Sequence, residues 1–206
     1  MKKISLLLLC CIILFTFGCK KDNDKKEEET IETTITENVM ESVVKNATAV
    51  DSIRTMQAGA LEFGHQFFLS RDGKITALGC RFPTKNIPYT INLWDFNSKA
   101  LLASATVTPA DSLSFSYSAI TPVAVSANTK YLVSVNNFAG GAVQPFFLGT
   151  KKGGGESLYP FTEGSVTFEG VYYVKSDKAL FPDLPNPSQK IIAGISDFIF
   201  EYTETE

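Results

Sequence analysis

The sequence predicts an all-β domain, an antiparallel sandwich of two sheets, on three observations. From Gly59 onward, short runs of alternating apolar and polar residues are separated by turn residues, the period-two pattern of half-buried strands. No sustained helical periodicity separates these runs, so the strands must bury their faces on one another. The chain is 44% hydrophobic with 16 phenylalanines, enough to build a core without disulfides.

In chain order, residues 1–18 read as a targeting segment. Lys2 and Lys3 form a positive start, and Ile4 to Phe17 form an apolar run closed by Gly18 and Cys19. That run is shorter than the about 20 apolar residues a bilayer span requires. Thr16-Phe17-Gly18-Cys19 resembles the lipobox of bacterial lipoproteins, departing from it at Phe17, where a small or β-branched residue is usual. Cleavage before Cys19 makes it the lipid-attachment residue, with the membrane as partner. The alternatives are an uncleaved anchor and an ordinary secretory signal.

Residues 19–57 read as a lipidated, charged tether. The run Lys20-Lys21-Asp22-Asn23-Asp24-Lys25-Lys26-Glu27-Glu28-Glu29 cannot bury enough apolar surface to offset its ordering entropy. It resembles the charged export signal of Bacteroidetes surface lipoproteins, and a plain solvated spacer is the competing reading. Met40, Val43, Val44, Ala47, Val50 and Ile53 fall near helical spacing, so 39–56 reads as a short helix or an edge strand leading into the domain.

Residues 58–206 read as the sandwich. Leu61, Phe63, Phe67 and Leu69 share one strand face, which ends at Arg71-Asp72-Gly73, a turn whose glycine suits a positive φ. Leu78, Cys80 and Phe82 share the next face, and Ile91 with Leu93 the one after Pro88. A turn over 95–99 leads to Leu101, Ala103, Ala105 and Val107. Further strands are expected over 113–117, 123–125, 131–135, 146–148, 165–168, 171–174 and 195–202.

Several of these stretches together resemble a family. They are Leu78-Gly79-Cys80-Arg81-Phe82, Tyr89-Thr90-Ile91-Asn92-Leu93-Trp94-Asp95, Leu101-Leu102-Ala103-Ser104-Ala105-Thr106 and the run from Thr121 to Val135. With Phe161-Thr162-Glu163-Gly164, Gly170-Val171-Tyr172 and Ser196-Asp197-Phe198-Ile199-Phe200, they are similar in order and spacing to the bacterial domain of unknown function numbered 4082. The resemblance implies a jelly-roll-like sandwich in an extracellular setting, sometimes beside carbohydrate-active modules, and carries over no activity or catalytic residue. The segments 139–159 and 181–187 are where departures from the family are expected.

The charge excludes a general footprint for nucleic acid: the formal net charge of −3 becomes −5 once Lys2 and Lys3 are removed. Cys10 and Cys11 leave with the signal and Cys19 is acylated, so Cys80 lacks a partner for a disulfide or a cysteine metal site. His65 is the single histidine, placed inward by the alternation that buries Phe63 and Phe67. A serine nucleophile needs a base, and a catalytic zinc usually needs several nitrogen or sulfur ligands, so a buried, hydrogen-bonded imidazole is the better reading. Lys151-Lys152-Gly153-Gly154-Gly155-Glu156 has the wrong order for a phosphate loop and reads as a loop tip. Asp95, Asp111, Asp177, Asp183 and Asp197 nominate no acid pair for glycoside hydrolysis and no calcium loop, and read as turn formers.

The expectation is therefore no catalytic residue, no metal and no cofactor. Aromatics remain as ligand candidates, because flat rings stack on sugars and anchor protein interfaces: Trp94, Tyr159, Phe161, Tyr172 and Tyr173 are the nominees. Tyr172 and Tyr173 are adjacent, so one of them points away from the core. Asp51-Ser52-Ile53 and Asp111-Ser112-Leu113 resemble the O-glycosylation acceptor of Bacteroidetes exported proteins. The functional expectation is an outer-membrane lipoprotein displaying a non-catalytic binding or adhesion module for extracellular glycan, with a structural protein that contacts another envelope protein as the alternative and a glycan hydrolase least favoured.

Overall fold

The computed structural model describes residues 32–45, 50–151 and 157–205, apart from the side chains of Asp51 and Ser52. Cys19, the charged run after it and residues 152–156 lie outside the described residues. The elements in order are β1 (Glu32–Glu37), α1 (Val39–Lys45), β2 (Val50–Met56), β3 (Leu61–Leu69), β4 (Gly73–Arg81), β5 (Tyr89–Asp95), β6 (Leu101–Val107) and β7 (Ser116–Val125). They continue with β8 (Lys130–Asn136), β9 (Phe138–Ala139), β10 (Ala142–Val143), β11 (Phe146–Lys151), β12 (Phe161–Glu163), β13 (Val166–Lys175), β14 (Leu184–Pro185), β15 (Ile191–Ala193) and β16 (Ile195–Thr205).

The strands form a β-sandwich. One layer is the sheet β12-β13-β3-β8-β5-β6, with β14 added on β13; the other consists of β1-β16-β4-β7 and β15-β11-β2. The core lies between them. Phe67 of the large sheet stacks on Phe198 of β16 with ring centroids 4.4 Å apart, and Phe63 meets Phe146 of β11 at the same separation. The paired expectations 165–168 and 171–174 are one strand, β13, interrupted by a bulge between Phe168 and Gly170. Those over 113–117 and 123–125 merge into β7, leaving Leu113 in the preceding turn and 77% exposed.

Close approach requires glycine at several positions, and two of them shape the sheets. β15 and β16 are a single run bent at Gly194, whose φ of 62° is in the region that favours glycine, and a methyl there would meet the Phe63 ring at 2.5 Å. Gly73 does not adopt the positive φ expected of it; it is needed because a methyl would lie 2.4 Å from the Glu201 carbonyl oxygen.

Among the described residues the folded unit begins at Glu32, well before Gly59. Of the stretch 39–56, read as a short helix or an edge strand, the structure makes both, α1 and β2, and β1 is a further strand in residues assigned to the tether from composition. β1 pairs with β16 from Glu32↔Thr205 to Glu37↔Phe200, so main-chain hydrogen bonds hold this polar strand where burial cannot. Beyond Phe200, α1 packs against β16 with Val39, Met40, Val43 and Val44 buried, the i, i+1, i+4, i+5 face of a helix. Asp197 of β16 fixes it: its carboxylate accepts the Met40 N–H at 3.2 Å and the Glu41 N–H at 2.9 Å, two amides of the helix start that have no partner within the helix. The same carboxylate accepts the Phe198 N–H and the Tyr117 hydroxyl.

A chain that starts at Gly59 lacks α1 and both flanking strands, and is expected to show no cooperative thermal transition where a chain starting at Glu32 does; equal melting of the two would disprove the boundary. Asp197→Ala strands buried donors and is expected to cost about 2–4 kcal/mol in urea unfolding.

Candidate binding face

Alternation along β3 sends Phe63, His65, Phe67 and Leu69 into the core and Glu62, Gly64 and Gln66 to the outer face of the large sheet. The register sets Asn136 opposite Glu62, Ser134 opposite Gly64, Asn92 opposite Ser134 and Trp94 opposite Leu132. An outer sheet face is ordinarily wet, yet Glu62, Asn92, Ser134 and Asn136 are all buried. The chain after β13, residues 176–187, crosses over them. Pro182 is buried above Gly64, where a methyl would come within 2.6 Å of its ring, and Asn136 Nδ2 donates to the carbonyls of Ser176 at 3.3 Å and Lys178 at 2.9 Å.

An aromatic cluster borders this crossing. Phe181 meets Trp94 edge-on at 5.8 Å, Phe96 lies 5.8 Å from Phe181, and Tyr172 lies 5.3 Å from Phe96. Lys99 Nζ sits 5.4 Å from the Phe181 centroid and 3.4 Å from Asp183. Phe96, Tyr172 and Phe181 are half-buried, each keeping part of its ring in solvent.

Beneath the aromatics runs a polar chain. Trp94 Nε1 donates to Ser134 Oγ at 2.8 Å, Ser134 donates to Glu62 Oε1 at 2.5 Å, and Asn92 Nδ2 donates to the same oxygen at 3.2 Å. Glu62 Oε2 is buried without a hydrogen-bond partner. Burial pushes the Glu62 carboxyl up to about 7, against the opposing pull of its hydrogen bonds.

The structure divides the five nominated aromatics between two faces. Trp94 and Tyr172 belong to the outer face. Tyr173 packs against the core, Phe161 lies 5.2 Å from both Tyr159 and Phe168, and Tyr159 is itself buried. Tyr159 and His65 form an internal pair: the imidazole Nε2–H donates to the Gly194 carbonyl at 3.1 Å, which leaves Nδ1 to accept the Tyr159 hydroxyl at 3.1 Å. Burial depresses the imidazole to about 4, so it is neutral at physiological pH. Asp95 accepts Ser98 N–H at 2.7 Å and Asp111 accepts the Leu113 and Ser114 N–H groups at 2.7 Å, so both form turns, whereas Asp197 is the helix anchor. Cys19, the Ser52 side chain and residues 152–156 lie outside the described residues.

Sequence reasoning missed Glu62, Asn92, Ser134, Asn136, Phe96 and Phe181. Their alternation was legible, but polar residues on an outer face read as solvated unless the covering segment is known. The one signal was the run Phe181-Pro182-Asp183-Leu184-Pro185-Asn186-Pro187, dense in proline for a simple surface loop.

Compared with known proteins, the chain matches the family model described as Domain of unknown function (DUF4082) over residues 47–189. No curated protein matches it.

The raised Glu62 carboxyl fixes a pH dependence. Its contribution to stability is fully present below the unfolded value near 4.5 and is lost as pH rises through about 7. Glu62→Gln removes that loss, and is expected to gain about 2–3 kcal/mol relative to the native chain between pH 4.5 and pH 8 in urea unfolding. A native-to-variant difference that is the same at both pH values would show that Glu62 titrates normally.

Proposed function

The chain belongs to the DUF4082 family, and from that premise we propose that it is a non-catalytic binding module carried by a Bacteroidetes-type lipoprotein, held at the outer membrane through Cys19 and facing outward, with glycan as its ligand class. The observation that carries this reading is the half-exposed set Phe96, Tyr172 and Phe181, backed by Trp94 and flanked by Lys99 and Asp183. Partly exposed rings offer apolar faces to sugar C–H groups, and charged neighbours offer hydrogen bonds to hydroxyls. The address rests on the Lys2-Lys3 start, the apolar run and the Thr16-Phe17-Gly18-Cys19 motif.

A second reading, a structural protein that contacts another envelope protein, is favoured by a different region. β6 is an outer strand of the large sheet, carries no charge or proline over Leu101–Val107, and exposes Leu101 and Leu102, with Leu113 beyond it. Uncharged edge strands are the ones that accept a further strand.

Glycan-array binding by the full chain tests the first reading. Phe96→Ala and Tyr172→Ala are each expected to weaken a saturable signal about tenfold, while Ser104→Lys on β6 leaves it intact. Loss of co-purification with one envelope protein in Ser104→Lys, without any glycan signal in the native chain, would transfer the function to the β6 edge. Cys19→Ser is expected to move the protein from the membrane fraction to the soluble fraction, and unchanged fractionation would remove the lipid anchor from the proposal.

A further inference from the structure

Asn136 faces three acceptors, the carbonyls of Ser176 and Lys178 and the Glu62 carboxyl, with two amide hydrogens to give. A single amide nitrogen carries two hydrogens, and both go to the crossing segment, at Ser176 O and Lys178 O. Directly across the strand pair lies Glu62, whose Oε2 is buried and has no donor. Asn92 and Ser134 are committed to the other oxygen, Oε1. The segment is held by a two-residue pairing of β14 with Tyr172 and Tyr173, the Ser176 N–H on the Ala60 carbonyl, the Asn186 N–H on the Val171 carbonyl, the exposed Lys99–Asp183 contact, the Phe181 ring against Trp94 and Phe96, the Pro182 seat over Gly64, and Asn136.

We propose that residues 176–187 form a releasable strap, latched to the sheet by the Asn136 amide that the strap's carbonyls and the Glu62 carboxyl both require, and that its release uncovers Trp94 and Glu62 as one surface.

With Glu62 protonated, the carboxyl makes no claim on Asn136 and the strap stays down. Ionisation leaves a buried negative oxygen with no donor, and a charge-assisted hydrogen bond from Asn136 outcompetes the neutral ones to Ser176 and Lys178. Since burial brings the Glu62 transition to about 7, the strap is closed in mild acid and released in mild alkali. The other charged groups around this face are accounted for. Lys130 pairs with Glu169 at 2.8 Å and Lys99 with Asp183, while Lys175, Asp177 and Lys178 are exposed. His65 projects to the opposite face of the sheet and bonds Tyr159 and Gly194. None contributes to the Glu62 environment, which consists of burial and the polar groups of Ser134, Asn136 and Asn92. That the uncovered surface binds ligand rests on the proposed function; the latch does not.

The chain contains one tryptophan, and it sits in this network under Phe181, so its fluorescence reports the strap without any ligand. Acrylamide quenching of Trp94 in the full chain is expected to rise about threefold between pH 5.5 and pH 8.5, with a midpoint near 7. Glu62→Gln, a neutral mimic of the protonated acid, holds the low value throughout, and Asn136→Ala gives the high value throughout. A native profile flat in pH, or a Glu62→Gln variant that titrates like the native chain, overturns the latch. Hydrogen exchange of the native peptide 176–187, corrected for intrinsic rates, needs no variant: greater protection at pH 6 than at pH 8 supports the latch, and equal protection refutes it. A working latch with no glycan signal at either pH would sink the ligand reading and leave the strap standing.

Discussion

Gly194 is the point at which a strand leaves the β15-β11-β2 sheet and enters the β1-β16-β4-β7 sheet, and few residues can adopt the backbone needed there. The bend is held from across the sandwich. Phe63 fills the space where a side chain would project, the Phe147 carbonyl accepts the Gly194 N–H at 3.1 Å, and the His65 imidazole donates to the Gly194 carbonyl. The two sheets of the second layer thus depend on one continuous run, and that run is tied to the large sheet by an aromatic ring and a neutral imidazole. Ser196 adds a second tie, its hydroxyl donating to the Val133 carbonyl of β8 at 3.2 Å. A polar bond between layers is worth more here than at a surface, because breaking it leaves both partners buried. The single histidine is accounted for by this role.

Two buried carboxyls show how donors decide the behaviour of an acid. Asp197 is fully buried, yet four donors reach it: the amides of Met40, Glu41 and Phe198 and the Tyr117 hydroxyl. Burial lifts it to about 6, with those donors pulling it down. Glu62 is equally enclosed, but one of its oxygens has no donor, and it rises to about 7. The first carboxyl is built into the fold as a helix anchor. The second is left short of a partner on a face that only a crossing segment covers. Incomplete satisfaction of a buried group is costly, and such costs persist mainly at ligand clamps and switch regions, where the surrounding structure imposes them.

The sandwich was legible because its signal is local: alternation in β3, β4, β5 and β8 follows directly from the residues, and the buried positions Phe63, Phe67, Leu78, Cys80, Ile91 and Leu93 fall where the pattern puts them. The N-terminal boundary was not, because β1 is Glu-Thr-Thr-Ile-Thr-Glu, a polar strand that owes its place to pairing with β16 about 165 residues away; composition carries no trace of such a partner. The candidate face was half legible. Trp94 and the outward turn of one member of the Tyr172–Tyr173 pair could be read from the sequence, but Tyr159 and Phe161 belong to the core. Glu62 and Asn136 became significant only with the knowledge of what lies across them. Residue type and period give the direction of a side chain within its sheet, but not what long-range chain covers that side.

The pairing of the first strand with the last has a mechanical consequence. Any tension reaching the domain through its preceding residues enters at Glu32, the outer end of a six-residue ladder that runs antiparallel to the end of β16. A pull along the strand axis loads all of those rungs at once in shear, whereas a pull perpendicular to it peels them one by one. Behind the ladder the load passes to α1 and its grip on Asp197. A stretch that composition assigns to the tether is therefore the force-bearing joint of the domain, and its yield strength depends on the direction from which the chain is tugged.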